Sequence, residues 1–157
     1  MSFVAAPPAE PPATVEDAVA GDGWYPALSI QSFRDAQRIP ETASGKRVRE
    51  ALLGGMVSAS VGLAAWRAVR EEEGAADLAA TSEVTIGGEN RAVILWRRAV
   101  HAFAAADLAE THTDISATDA GRDRNALRED PCDALRREAT AALRDLMGKT
   151  RCRVALK

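Results

Sequence analysis

Two histidines, two cysteines and a set of carboxylates are the groups in this 157-residue chain with the chemistry to hold a metal or drive a reaction. His101 and His112 stand eleven residues apart, a spacing that returns to one helix face. Three turns separate them, on the order of 16 Å, so one chain cannot bring both to one ion. Cys132 and Cys152 have no histidine beside them and no zinc-site spacing. A chain of this length needs no covalent staple, so they read as free thiols in a reducing cytosol. The glycine pairs Gly54-Gly55 and Gly87-Gly88 lack the Lys-Ser/Thr partner or the preceding strand of a phosphate loop. No serine sits in a nucleophile elbow, and no carboxylate pair stands apart from ordinary helical charge patterning. The residues nominate no catalytic, cofactor or metal position, and the chain does not read as an enzyme.

Bulk properties narrow the class further. Apolar residues make up 46% of the chain, enough to fill one core at this length. The net charge of −3 comes from 20 basic and 23 acidic residues, which are unevenly placed. Residues 1–121 hold 10 Lys/Arg against 17 Asp/Glu, whereas residues 122–157 hold 10 against 6. A basic C-terminal third suits an acidic partner or nearby phosphate, and it equally suits a solvated helix face. That third contains no aromatic residue, so it offers no base-stacking platform and no sequence-specific nucleic-acid readout is expected. No run is expected to reach the roughly 18–20 apolar residues of a membrane span. The N-terminus lacks the basic and unbroken apolar regions of a signal peptide.

The elements that must carry these groups read as helices. Residues 1–22 hold four of the seven prolines and form a flexible Ala/Pro-rich arm. Trp24 and Tyr25 follow in a segment that cannot be helical, because Pro26 pushes Tyr25 out of the α region. Two large aromatic groups in a loop are expected to fold back over the helices as an anchor, or to dock into a neighbour. Ser29 caps a short helix that ends before Pro40. Ser44 caps a long helix over 45–73, with Val48, Leu52, Met56, Ala59, Leu63 and Trp66 at stripe spacing. Gly54, Gly55 and Gly62 each cost that helix about 1 kcal/mol relative to alanine, which points to close approach of another helix.

Glu71, Glu72 and Glu73 occupy the last turn, where the macrodipole disfavours them and a cationic neighbour would compensate. Residues 75–88 read as a linker and a contact surface. A second long helix spans 89–113, with Val93, Trp96, Val100, Phe103 and Asp107 in register. Asp107 is expected at the edge of the stripe or paired with an arginine. A third helical region spans 122–147, kinked or restarted at Pro131. The tail at 149–157 alternates weakly, as an extended segment that would add to a sheet edge elsewhere. The fold class is therefore all-α: an antiparallel bundle of two or three long helices with a short N-terminal helix. Its body is 23–148, flanked by the arm and the tail.

The order of these pieces is more specific than any one of them. An Ala/Pro arm, GWYPALSIQSFRDAQRI, TASGKRVREALLGGMVSASVGLAAWRA, ILWRRAVHAFAAADLAE and a closing LRDLMGKTRCRVALK follow one another. Together, over about residues 20–157, the series resembles the head completion protein (GPL) family of contractile-tailed bacteriophages. Pro131 departs from the continuous last helix of that family, and Trp24-Tyr25 replaces its usual Phe-Trp order. The resemblance implies a structural virion protein with no cofactor, added after DNA packaging as an adaptor ring, a dodecamer by the symmetry it would match, at the neck and portal vertex after assembly in the host cytoplasm. Its implied partners are the portal protein, tail terminator or other neck proteins, with packaged DNA nearby and no membrane. Under that reading Glu71, Glu72 and Glu73 would meet Arg97 and Arg98 of a neighbouring subunit. Arg151, Cys152, Arg153, Val154, Ala155 and Leu156 would form the portal-binding tail. From the residues alone, a cytosolic helical interaction or chaperone module and a small DNA-binding protein stay open.

Overall fold

The computed structural model describes residues 17–116 and 131–149, with side chains of the first stretch described through 111. Within them the chain runs β1 (Ala18–Val19), β2 (Leu28–Ser29), α1 (Ile30–Gln37), α2 (Gly45–Glu72), β3 (Thr85–Ile86), β4 (Glu89–Asn90), α3 (Arg91–Ser116) and α4 (Pro131–Leu146), with one 3-10 turn at Ala79–Thr81. It is mostly helical, and the strands form two isolated antiparallel pairs.

Local chemistry sets the helix ends. Ser29 Oγ accepts the Ser32 N–H at 3.0 Å, while Asp17 accepts the backbone N–H groups of Ile30 and Gln31 at 2.7 and 2.9 Å. Three donors at the start of α1 are thus satisfied, one by its own cap and two from across the β1–β2 pair. Arg38 ends α1 in the left-handed region (φ 51) just before Pro40. Ser44 caps α2, and Gly74 (φ 94) follows its last turn. Pro131 stands at the first position of α4 as described, a place that proline suits because its missing N–H would be unpaired there anyway.

Packing then orders the helices. Gly55 on α2 meets α3 at backbone range: a Cβ there would lie 2.6 Å from the Val100 carbonyl oxygen and 3.1 Å from the Ala104 nitrogen. Further along α2, Gly62 meets Leu143 of α4. Arg91 donates to the Asp145 carbonyl and Arg98 to Glu138, so α3 and α4 run in opposite directions. α3 packs against both other long helices. Its buried surface is accordingly wide and rich in alanine: Ala92, Ala99, Ala102, Ala104 and Ala106 join Trp96 and Val100.

The α2 stripe is buried as its spacing requires, with Trp66 partly exposed. On α3, Val93 and Phe103 are only half-buried and Asp107 is exposed, at the edge of the stripe. Burial, followed by Glu110, raises the Asp107 carboxyl above its usual range, while Arg136 lowers it. On α4, Leu135 is half-buried and Cys132 is buried.

Three expectations need correction. The arm does not extend to residue 22, because Val19 is fully buried and β1 pairs with β2. The segment 75–88 is more than a linker: Leu78 is fully buried, and β3 and β4 form a hairpin through Gly87 (φ 61) and Gly88 (φ 83). Both positive φ values suit a two-residue turn that glycine fills without strain. Finally, α2 is long and apolar enough to cross a membrane by length and composition, with 28% of its apolar window buried. Leu127 and the rest of 117–130 lie outside the described residues.

Two stability predictions follow from these contacts. Gly55→Ala should destabilise by about 1–3 kcal/mol, since its Cβ strikes backbone. Gly54→Ala meets only the movable Asp107 carboxylate, at 3.0 Å, and should be neutral or gain about 1 kcal/mol of helix propensity. Urea denaturation distinguishes the two; equal midpoints would remove the close-contact argument. The second concerns His101, which is 4% exposed beside Phe33. Burial, aided by Arg97, pushes its imidazole down to about 4. The unfolded chain then binds a proton near the ordinary histidine value that the folded chain refuses. Stability should therefore fall as pH drops from about 6.5 to about 4, by on the order of 3 kcal/mol. His101→Leu should flatten that slope in pH-dependent urea titrations, and an unchanged slope would exonerate His101.

Candidate interaction site

The chain contains three tryptophans and one tyrosine, and all four meet in one cluster. Asp22 begins it by accepting the backbone N–H groups of Trp24 and Tyr25 at 3.1 and 3.0 Å, which curls the β1–β2 loop. Gly21 is required beneath that curl, because a Cβ there would collide with the Tyr25 carbonyl. The curl drives Tyr25 onto Trp96 of α3, with stacked rings 4.0 Å apart and 8° from parallel. Trp24 stands edge-on to Tyr25 at 4.8 Å and to Trp66 of α2 at 6.1 Å. The loop pair is buried and continuous with the main core. Its rings bridge α2 and α3.

Arg67 covers the cluster. Its guanidinium lies 4.8 Å from the Trp24 ring and 5.1 Å from the Tyr25 ring, within cation–π range. It also pairs with Asp22, and with Glu71 at 2.8 Å. The hydrogen bond from Arg67 holds the Asp22 carboxyl below its usual range, and burial pushes the Tyr25 phenol up. Leu78 adds a strut, its N–H donating to the Trp24 carbonyl at 3.0 Å. Asn90 orders the hairpin: its amide donates to the Ala79 and Ser82 carbonyls, and its oxygen accepts the Ala92 N–H at the start of α3.

The nominated charges have partners within the chain. Glu71 pairs with Arg67, Glu73 with Arg70, Arg97 with Glu89 and Arg98 with Glu138. Glu72 makes no ion pair among the described residues. An inter-subunit contact between the 71–73 turn and Arg97 or Arg98 would thus have to displace existing pairs. The hydrogen bond from Arg97 holds the Glu89 carboxyl below its usual range. The tail residues Arg151, Cys152, Arg153, Val154, Ala155 and Leu156 lie outside the described residues. The main exposed apolar side chains are Val57, Val61 and Val69 on α2, with Val84 and Ile86 at the hairpin.

Several members of the site carried weak sequence signals. The pair Gly87-Gly88 between Thr85-Ile86 and Glu89-Asn90 has the form of a two-residue hairpin turn. Asn90 just before an apolar-periodic run is a capping signal. Leu78 carried none, being one apolar residue in a loop. No group of His, Cys, Asp or Glu side chains with metal-binding geometry occurs among the described residues. What the arrangement presents chemically is surface: exposed apolar side chains on α2 and at the hairpin, on a body whose aromatic bracket is buried in the core.

Asp22→Ala should cost about 1–2 kcal/mol, because two backbone donors lose their acceptor. Its coupling to Arg67 should be below about 1 kcal/mol in a double-mutant cycle, the carboxylate being half exposed. A larger coupling would make the ion pair, rather than the loop curl, the organiser of the cluster.

Residues 19–156 match the profile of a family described as phage head completion protein (GPL). The chain is also similar to the "Head completion/stabilization protein" of Escherichia phage P2. The two are 28% identical over 144 residues, covering 92% of this chain and 85% of that protein. No solved structure matches.

Proposed function

The chain belongs to the phage head completion protein (GPL) family, and from that membership we propose that it is a structural virion protein that completes and stabilises DNA-filled heads. It acts as an adaptor ring between the portal and the neck or tail, and it works by contact rather than turnover. The observation that carries this reading is the family match across nearly the whole chain, 19–156, with most of the relative's own length covered. The structure supports it physically. A short two-strand bracket and an aromatic cluster hold the N-terminal segment rigid against the helices, while apolar side chains stay at the surface. Rigid elements with uncovered apolar patches suit a protein whose partners are other proteins. Arg151 to Leu156 would then dock on the portal as an added strand.

The test is complementation. Phage lacking this chain should accumulate heads that fill and then lose DNA without joining tails, and supplying the chain in trans should restore them. A chain deleted for 151–157 should remain folded but no longer co-purify with portal. Tailed, genome-retaining particles made without the chain would end the head-completion reading. Portal capture by the truncated chain would end only the docking role of the tail.

A further inference from the structure

We propose that the solvent face of α2 docks a second copy of this chain, with the two α2 helices antiparallel and Lys46 of each facing the Glu72 end of the other. Val57 and Val61 are 62% and 72% exposed there, one turn apart. Ala64, Ala65 and Ala68 continue the exposed surface, opposite the buried stripe of Val48, Leu52, Ala59 and Leu63. From Ala51 to Trp66 the helix has no charged residue, a length of about 24 Å. A face this long and apolar is built for contact rather than for water.

The charges at its two ends identify the occupant. Lys46, Arg47 and Arg49 lie in the first turns of α2, and Glu71, Glu72 and Glu73 lie at its end. Lys46 and Glu72 oppose the helix's own macrodipole without an ion-pair partner among the described residues, whereas Glu71 and Glu73 are already paired with Arg67 and Arg70. An antiparallel neighbour of the same sequence reverses that conflict, because each acidic end then lies beside a helix N-terminus and each basic end beside a C-terminus. Helical geometry places Lys46, Glu50, Val57, Val61, Ala64, Ala68 and Glu72 along one face. With the twofold axis level with Ala59, Val57 meets Val61 of the second copy, Glu50 meets Ala68 and Lys46 meets Glu72. Neither Lys46 nor Glu72 makes an ion pair among the described residues. This goes beyond the ring reading: a twofold contact uses one patch on both copies and closes on itself, so it describes the free chain.

Sedimentation of the purified full-length chain at low salt, without virions, tests it. The parent chain should dimerise, and Val61→Lys should be monomeric with an unchanged circular dichroism spectrum. Lys46→Glu and Glu72→Lys should each weaken the dimer about tenfold, since symmetry reverses two pairs at once. The two substitutions combined in one chain should recover affinity to within about twofold of the parent, a result that loss of folding cannot mimic. A chain monomeric at every concentration, an assembly indifferent to Val61→Lys, or a double variant without recovery would each overturn the proposal. None of those results bears on head completion in the particle.

Discussion

The fold depends on how closely α2 and α3 approach. At Gly55 no side chain separates the helix from the Val100 carbonyl and the Ala104 backbone. Two helices at that range exclude bulky side chains from the line of contact, so α3 presents alanines there. A residue lacking a Cβ weakens an isolated helix, because it loses more backbone entropy on folding. Here the loss is offset by dispersion contacts that only backbone-to-backbone packing permits. The same rule explains why Gly54 and Gly62, which meet movable side-chain ends, constrain the fold less.

About three turns further along α2, the two helices are joined by another means. Tyr25 and Trp24 enter from the β1–β2 loop and bridge Trp96 on α3 to Trp66 on α2. One end of the helix pair is thus fixed by the absence of side chains, and the other by the largest ones available. Arg67 joins the two chemistries at the aromatic end, stacking its cation on the rings while satisfying Asp22 and Glu71. Most of the ion pairs elsewhere are exposed and contribute little to stability. They tell more about which surfaces are already occupied.

That distinction matters for a family whose members act as structural parts of a phage head. A contact protein needs a rigid body and uncovered surface, and this one separates the two by helix face. The buried side of α2 holds the core, while the opposite side carries exposed valines and alanines. The helix is apolar on both sides for two different reasons. Its composition alone, which also satisfies the length of a membrane span, does not separate them.

The sequence by itself determined α2 and the caps of α1 and α2, but not where α3 begins. Ser29, Ser44, Pro40 and Gly74 act through bonds and dihedral angles within a few residues, and such effects are readable in order along the chain. It determined the buried stripe of α2 as well, since a helix with one covered face shows a single period. Only the tertiary structure decided the buried surface of α3, because a helix covered by two neighbours loses that single period and hides alanines as well as bulky residues. It also decided the fate of Leu78, of Val19 and of the aromatic pair, whose partners lie far away in sequence and leave no local trace. Charge pairing was settled there too: Arg67 reaches Asp22 across 45 positions and Arg98 reaches Glu138 across 40. Residue type shows that a glutamate wants a cation, but only the path of the chain through space selects which one it meets.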